Sequence, residues 1–119
     1  MKLSEFAEAL EMKVLAGNDL SKAVTGVYVG DLLSWVMSHA EKGNAWITVL
    51  TNLNTVAVAV LTEVACIILP ESVDADEQTV IRAQKEGVVI LGSQMTAYEI
   101  CCSAYNLMKQ EKQTDGSSG

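Results

Sequence analysis

The chain has 119 residues, half of them apolar, and a formal net charge of −7. This length is typical of one domain with a single hydrophobic core. An acidic chain without a Lys/Arg cluster repels the phosphate backbone, so we expect no nucleic acid partner. Polar residues interrupt every long apolar stretch and the N-terminus lacks the apolar core of a signal peptide, so we expect no membrane span and a cytoplasmic location.

The N-terminal third predicts a helix, an extended segment, a strand and a second helix. Ser4 is predicted to cap the first helix, and the apolar repeat predicts that this helix extends to about residue 12. Lys13 to Ala16 follows as a brief extended segment, and Val24 to Val29 alternates as a strand that ends at Gly30. Asp31 is predicted to cap the helix that comes next.

The centre of the chain predicts a βαβ crossover. Ala45 to Leu50 and Ala65 to Leu69 are short buried strands, and an apolar segment of helical length lies between them. The loop after the first strand runs from Thr51 to Thr55, and Asn54 is predicted to cap the helix while Asn52 has no such duty. The domain is therefore predicted to be α/β.

The C-terminal part predicts two more helices and a third short strand. The segment Asp74 to Glu77 is predicted to form a capping box that opens a helix to Glu86. Gly87 closes this helix, and Val88 to Leu91 is a buried strand. Thr96 with Glu99 opens a last helix to about residue 108, and the polar tail 109–119 is predicted to be disordered. The prediction is one domain, residues 1–108, with a largely parallel sheet of about five short strands flanked by helices.

In open α/β sheets ligands settle outside the carboxyl ends of the strands, where this chain carries uncharged polar residues. Four strand-to-helix junctions that converge there would form a binding crevice. The candidate ligand-binding residues are Gly30, Asp31, Thr51, Asn52, Asn54, Thr55, Gly92, Ser93 and Thr96.

The last helix has more apolar surface than one sheet face can bury. Its polar residues Thr96, Glu99, Ser103 and Asn106 fall within about 80° of arc. The excess predicts either a second packing surface for a twin subunit or cover by other helices of the same subunit. Trp35, on a polar helix face, is either an interface anchor or packed under the 17–23 loop. The candidate interface residues are Trp35, Tyr98, Cys102 and Tyr105.

The residues give little support for catalysis. His39, the sole histidine, is predicted to lie on the exposed side of a helix without a nucleophile. Cys66, Cys101 and Cys102 lack the spacing of a zinc or redox site and are expected to be buried thiols in a reducing compartment. The acids near Asp74 suit a helix N-terminus better than a metal. We expect no enzyme activity, no metal and no cofactor.

The order of segments KVLAG, VTGVYVGDLLS, WITVLTN and ACIILPESVDADEQTVIRAQKEGVVILGSQMTAYE resembles the DRTGG domain and, more distantly, the N-terminal domain of HPr serine kinase/phosphorylase. The resemblance spans residues 1–108 and implies that fold. It also implies a regulatory or assembly role without catalysis, because the family occurs beside CBS domains in nucleotide-regulated pyrophosphatases, in some phosphotransacetylases and as small proteins.

Two loops depart from the family pattern. Thr51 and Asn52 stand where the family carries Asp-Arg, and the Thr-Gly-Gly segment is replaced by Leu69, Pro70 and Glu71. Loss of the Arg and of backbone donors disfavours an anionic ligand. The sequence therefore predicts a non-enzymatic regulatory module that forms a homodimer and contacts an unidentified regulatory protein. The alternative is a small-molecule sensor, with a nucleotide as one candidate ligand.

Overall fold

The computed structural model describes residues 1–118, with side chains through Lys112. Five helices and five strands follow in this part of the chain. They are α1 (Leu3–Ala9), β1 (Lys13–Ala16), β2 (Gly26–Val29), α2 (Leu33–His39), β3 (Asn44–Ile47), α3 (Leu53–Thr62), β4 (Cys66–Leu69), α4 (Glu77–Glu86), β5 (Ile90–Gly92) and α5 (Ala97–Ser118).

The strands form one sheet in the order β1-β5-β4-β3-β2. Strands β2 to β5 are parallel to their neighbours, and β1 pairs antiparallel with β5 at the edge. The predicted α/β class with a largely parallel five-stranded sheet is confirmed. Consecutive parallel strands are joined by α2, α3 and α4, as the βαβ pattern predicts.

Helices cover both faces of the sheet. Because side chains alternate along a strand, Ala45 and Ile47 of β3 pack on one side and Trp46 on the other. The first side holds α1 and α5, which contribute residues such as Phe6 and Ile100. The second side holds α2, α3 and α4. The sheet is thus the middle layer of three, and this arrangement explains why both faces of β3 and β4 are apolar.

Two predicted helix starts are wrong. Helix α1 begins at Leu3 behind Lys2, so Ser4 lies inside the helix. Helix α2 begins after Leu32 without a side-chain cap, and Asp31 does not cap it. Helix α2 has only seven residues, and among them Val36 alone is fully buried. Leu32, which precedes the helix, is 65% exposed.

Helix α5 is longer than predicted. Its backbone continues beyond Met108, the expected end, to Ser118. Side chains after Lys112 and all of Gly119 lie outside the described residues, so the predicted disorder of the tail stays a prediction. Among the described helices, none is long and apolar enough to cross a membrane.

Candidate functional site

At the carboxyl ends of β4 and β5 the chain changes face: the helices that follow these two strands pack on opposite faces of the sheet. The loops after β2, β3 and β4 all lead to helices on the α2–α4 side, whereas the loop after β5 leads to α5 on the opposite side. Two neighbouring loops that diverge in this way leave a crevice between them, which is where open α/β sheets bind ligands. The topology therefore singles out the β4/β5 junction.

A crevice of about 440 Å³ lies at this junction. The β4–α4 loop and the β5–α5 loop form two walls, and β1 with the residues before it forms the third. The lining residues are Leu10, Glu11, Lys13, Leu15, Ser72, Val73, Asp74, Gly92, Ser93, Gln94 and Met95.

A strained turn forms the wall after β4. The amide of Val73 donates to the carbonyl of Pro70 at 3.1 Å, and Glu71 and Ser72 between them have φ of 55° and 59°. Two left-handed residues in this position make a type I′ turn, which normally uses Asn-Gly. The amides of the two strained residues donate to carbonyls of the β5–α5 loop at 2.9 and 2.8 Å. These bonds fasten the two crevice walls together and offset the strain.

The crevice is weakly acidic. Glu11 and Asp74 are exposed on its rim, and Lys13 is the cation that faces them. Glu11 is also left-handed, with φ of 54°. Because the whole chain has a net charge of −7, the surrounding field adds to this local excess of carboxylate. The site therefore suits a neutral or ammonium-bearing ligand better than a polyphosphate.

Three of the nine predicted ligand residues lie at the β5 junction. Gly92 and Ser93 line the crevice. Thr96 lies just beyond it and opens α5 as predicted, because its hydroxyl accepts from the amide of Glu99 at 3.1 Å and the Glu99 carboxylate accepts from the amide of Thr96 at 3.1 Å. The other six follow β2 and β3, whose loops lead to the same face, and they do not line this crevice. They are Gly30, Asp31, Thr51, Asn52, Asn54 and Thr55.

Asp31 joins the ends of two strands. Its carboxylate accepts from the hydroxyl of Thr48 at 2.7 Å and from the amide of Val49 at 3.0 Å. The Thr48 hydroxyl in turn accepts from the amide of Leu50 at 3.2 Å. Asp31 thereby satisfies polar groups of the loop after β3, which explains why it does not cap α2.

The cap of α3 is Asn52, and the prediction of Asn54 is wrong. The Asn52 side chain accepts from the amide of Thr55 at 3.0 Å and from the Thr55 hydroxyl at 3.2 Å. Asn54 lies one residue inside the helix with its side chain exposed. Since Thr55 is buried, its hydroxyl depends on Asn52 for a partner.

We expect Asn52→Ala to lower the free energy of unfolding by about 1–2 kcal/mol, because the cap and the partner of a buried hydroxyl are both lost. Asn54→Ala is the matched control and should change stability by less than about 0.5 kcal/mol. Denaturant midpoints of both variants measure the difference. Equal destabilisation by the two substitutions would contradict this assignment of the cap.

Helix α5 presents a row of exposed side chains on its outer surface. Tyr98 is 78% exposed and Tyr105 67% exposed, and Cys102 lies between them. Lys109 continues the row, with its ammonium 6.0 Å from the Tyr105 ring centre. We call these four residues the α5 stripe. Ile100 and Ala104, on the other side of the helix, are buried against the sheet. Other helices of the same subunit therefore do not cover the stripe.

Trp35 is exposed at 57% and is not packed under the 17–23 loop. Its ring stacks on His39, with centres 4.0 Å apart and planes 16° from parallel. The His39 Nδ1 lies 2.9 Å from the Trp35 carbonyl oxygen. The sole histidine thus covers part of an indole on the helix surface. Among the described residues, no cluster of His, Cys, Asp or Glu side chains is arranged to hold a metal ion.

The three thiols differ in accessibility. Cys66 lies in β4, and burial raises its pKa to about 12. Burial, with a smaller contribution from the neighbouring Cys102, also raises the pKa of Cys101. Cys102 is exposed, contrary to the prediction that all three thiols are buried.

We expect a thiol reagent to modify Cys102 quickly in the native protein and Cys66 only on unfolding. Because the unfolded thiol ionises near pH 9 and the folded Cys66 near 12, this group favours unfolding increasingly as the pH rises from 9 to 12. Labelling followed by peptide mass analysis tests the order, with Cys102→Ser as control. Fast native labelling of Cys66 would contradict it.

The sequence analysis missed most of the crevice. The polar loop after β4 was visible, but its acids were attributed to a capping box at the start of α4. The cap is instead Asp76 alone, which accepts from the Thr79 amide at 2.7 Å. The wall formed by β1 had no local signal, since its pairing with β5 joins distant parts of the chain. Left-handed Glu71 and Ser72 were equally hidden, because neither residue type favours that conformation.

The fold and the crevice define a class: a three-layer α/β domain with a mostly parallel sheet and a ligand-sized cleft where the chain changes face. A solved structure with a similar fold contains the CBS and DRTGG domains of the regulatory region of Clostridium perfringens pyrophosphatase, complexed with its activator diadenosine tetraphosphate. The TM-score is 0.64 at 12% sequence identity, over 83% of this chain and 44% of that one.

This similarity shows a DRTGG-like fold, and the chain corresponds to less than half of the neighbour's length. No protein-family model and no curated protein sequence matches the chain. The predicted resemblance is therefore supported for the fold.

Proposed function

We propose that this chain is a non-enzymatic regulatory module that acts through protein–protein contacts and forms a homodimer through α5. The observation that carries the proposal is the α5 stripe, where two tyrosines remain largely exposed on one side of a long helix. Aromatic side chains are enriched at the buried centres of interfaces. The similar fold in the regulatory region of a pyrophosphatase fits a regulatory role.

The absence of catalysis is part of the proposal. The histidine and the buried thiol do not form a catalytic arrangement among the described residues. His39 stacks on Trp35, and Cys66 is buried with a raised pKa. Cys102 is exposed on α5, where its neighbours along the stripe are tyrosines. Such an arrangement lacks the nucleophile, base and orienting group of a covalent mechanism.

The proposed homodimer is tested by the mass of the full chain in solution. Light scattering or sedimentation between about 10 and 300 μM should show a concentration-dependent rise from monomer to dimer, because dimers with micromolar dissociation constants assemble in this range. A monomer mass throughout that range would overturn the proposal.

The β4/β5 crevice favours a second candidate, a small-molecule sensor. Its position at the change of face and its strained turn are features of ligand sites. The similar pyrophosphatase region binds diadenosine tetraphosphate, but the carboxylates of Glu11 and Asp74 favour a less charged ligand here. Adenosine and diadenosine tetraphosphate are useful probes of this difference. A ligand at about 100 times its dissociation constant adds about 2.7 kcal/mol to stability.

We expect Ser72→Gly to stabilise the protein by about 1 kcal/mol, because glycine adopts a φ of 59° without strain. Thermal or denaturant unfolding measures the gain. The control is Asn18→Gly, at an exposed position with neither a positive φ nor a side-chain hydrogen bond, which should not stabilise. No gain from Ser72→Gly would mean that the turn is unstrained, and the argument from strain to a ligand site would fail.

A further inference from the structure

The α5 stripe has the spacing of a helix-pairing seam. Tyr98, Cys102, Tyr105 and Lys109 follow one another at steps of four, three and four residues. Such alternation places side chains along one line of a helix and is the repeat by which two helices pack side by side. The seam spans about 16 Å of helix, three turns. It is therefore long enough for a partner helix.

The charges on α5 determine the direction of that partner. Glu99 lies in the first turn, and the cations Lys109 and Lys112 lie towards the other end of the described side chains. Glu111 is engaged elsewhere, with its carboxylate 3.0 Å from the amino group of Met1. A parallel pair would set Lys109 beside the partner's Lys109. An antiparallel pair sets the two Lys109 side chains about 16 Å apart along the helices and avoids this repulsion.

The stripe is also self-complementary when one copy is reversed. If a twofold axis passes between residues 103 and 104, Tyr98 comes opposite the partner's Lys109, and Cys102 opposite the partner's Tyr105. An ammonium over a tyrosine face and a sulfur beside an aromatic ring are both favourable contacts. Lys109 already lies near the Tyr105 ring within one subunit, so its ammonium stays beside the exposed tyrosines of the stripe.

The neighbouring surface supplies the remaining contact area. A groove of about 670 Å³ runs between β2 and α5, and Tyr105 and Lys109 belong to both the groove and the stripe. The two tyrosines expose about 300 Å² per subunit, against about 800 Å² per partner in a standard interface. The apolar groove residues Val27 and Met108 extend the patch. Tyr105 and these groove residues form one continuous patch.

We infer that a second copy of this chain occupies the α5 stripe as an antiparallel helix, with Tyr98 facing the partner's Lys109 and Cys102 facing the partner's Tyr105. The inference rests on the proposed homodimer and adds its surface, direction and register. The acidic partner protein that the two lysines could also attract is an outcome of the test below.

Cysteine cross-linking tests the register. In a Cys101→Ala, Cys102→Ser background, the variants Tyr98→Cys and Lys109→Cys are prepared separately, oxidised with copper phenanthroline alone and as an equal mixture, and followed by non-reducing electrophoresis. Cys66 is retained because it is buried. Opposed positions in a helix pair bring their Cα atoms to about 6 Å, within disulfide range. The mixed disulfide also leaves one Tyr98–Lys109 pair intact across the axis.

The mixture should cross-link roughly 10-fold faster than either variant alone, because two copies of the same position lie about 16 Å apart along antiparallel helices. Lys85→Cys, exposed on α4 on the opposite side of the sheet, is the control for random collision. Faster homodisulfides of the single variants would show a parallel pair and overturn the inference. A dimer by light scattering without cross-links above the control would overturn the inference but leave the homodimer standing. A monomeric mass would overturn both and leave the stripe to a different protein.

Discussion

Tyr105→Glu is expected to weaken self-association by at least about 100-fold while the monomer remains folded. Tyr105 is 67% exposed, so the monomer loses little when the ring is replaced, within about 0.5 kcal/mol. In the proposed dimer the same position is covered by the partner's Cys102, and a carboxylate placed there loses its hydration without a full set of partners, at a cost of several kcal/mol. Sedimentation equilibrium measures the dissociation constant, and circular dichroism with denaturant unfolding checks the fold.

Asn106→Glu provides the matched control. Asn106 adjoins Tyr105 on the same helix, is also exposed and lies on the polar arc, about 100° round the helix from Tyr105. Both substitutions add one negative charge, so a general effect of charge on association would appear in both. We expect Asn106→Glu to change the dissociation constant by less than about threefold, within the range of rim contacts. Equal weakening by the two variants would contradict a specific role for the stripe.

The elements of the fold that were predicted correctly from the sequence are those with a signal in a short stretch of chain. The βαβ unit around Trp46 and the helix that Asp76 opens have buried strands, apolar periodicity and capping residues within a short stretch. The reciprocal cap of Thr96 and Glu99 is also a local arrangement, and the structure has it as predicted. Each of these signals depends on residues within about four positions of one another.

The candidate site depends on distant pairings, which explains why the sequence predicted only part of it. Gly92 and Ser93 lie in the crevice because β5 is the strand after which the chain changes face. Helix α5 packs on the same side as α1, and β1 pairs with β5, and neither contact leaves a local pattern. Without these two contacts, nothing distinguishes one strand end from another as a ligand site.

The prediction of capping residues failed where two polar residues are both able to cap one helix or where a polar residue has a partner elsewhere in the fold. Asn52 and Asn54 are both suitable caps. Asn52 is the one used, because the buried Thr55 takes it as the partner of its hydroxyl. Asp31 precedes α2 at a suitable distance, but its carboxylate accepts from the hydroxyl of Thr48 and the amide of Val49 in the loop after β3. A tertiary hydrogen bond to a charged acceptor outweighs a local cap, being worth about 1.5–3 kcal/mol.

Asp31→Ala is therefore expected to lower the free energy of unfolding by about 2–3 kcal/mol. This loss is larger than the loss expected for an exposed side chain without a hydrogen-bond partner. The substitution removes the acceptor of the buried Thr48 hydroxyl and of the Val49 amide together. Asp31→Asn retains one acceptor oxygen without the charge and should recover about half of the loss. Denaturant unfolding at neutral pH measures all variants.

Asp74→Ala is the control for Asp31→Ala, because Asp74 is an exposed acid on the crevice rim and forms no ion pair among the described residues. Its removal should change stability by less than about 0.5 kcal/mol, since exposed groups without fixed partners contribute little. If Asp31→Ala proves as mild as Asp74→Ala, the carboxylate of Asp31 is not needed to hold β2 to the loop after β3. It would then be free for a ligand, and the binding site would have to be sought at the β2/β3 end of the sheet. A loss near the expected value instead makes Asp31 a structural residue and leaves the β4/β5 crevice as the candidate site.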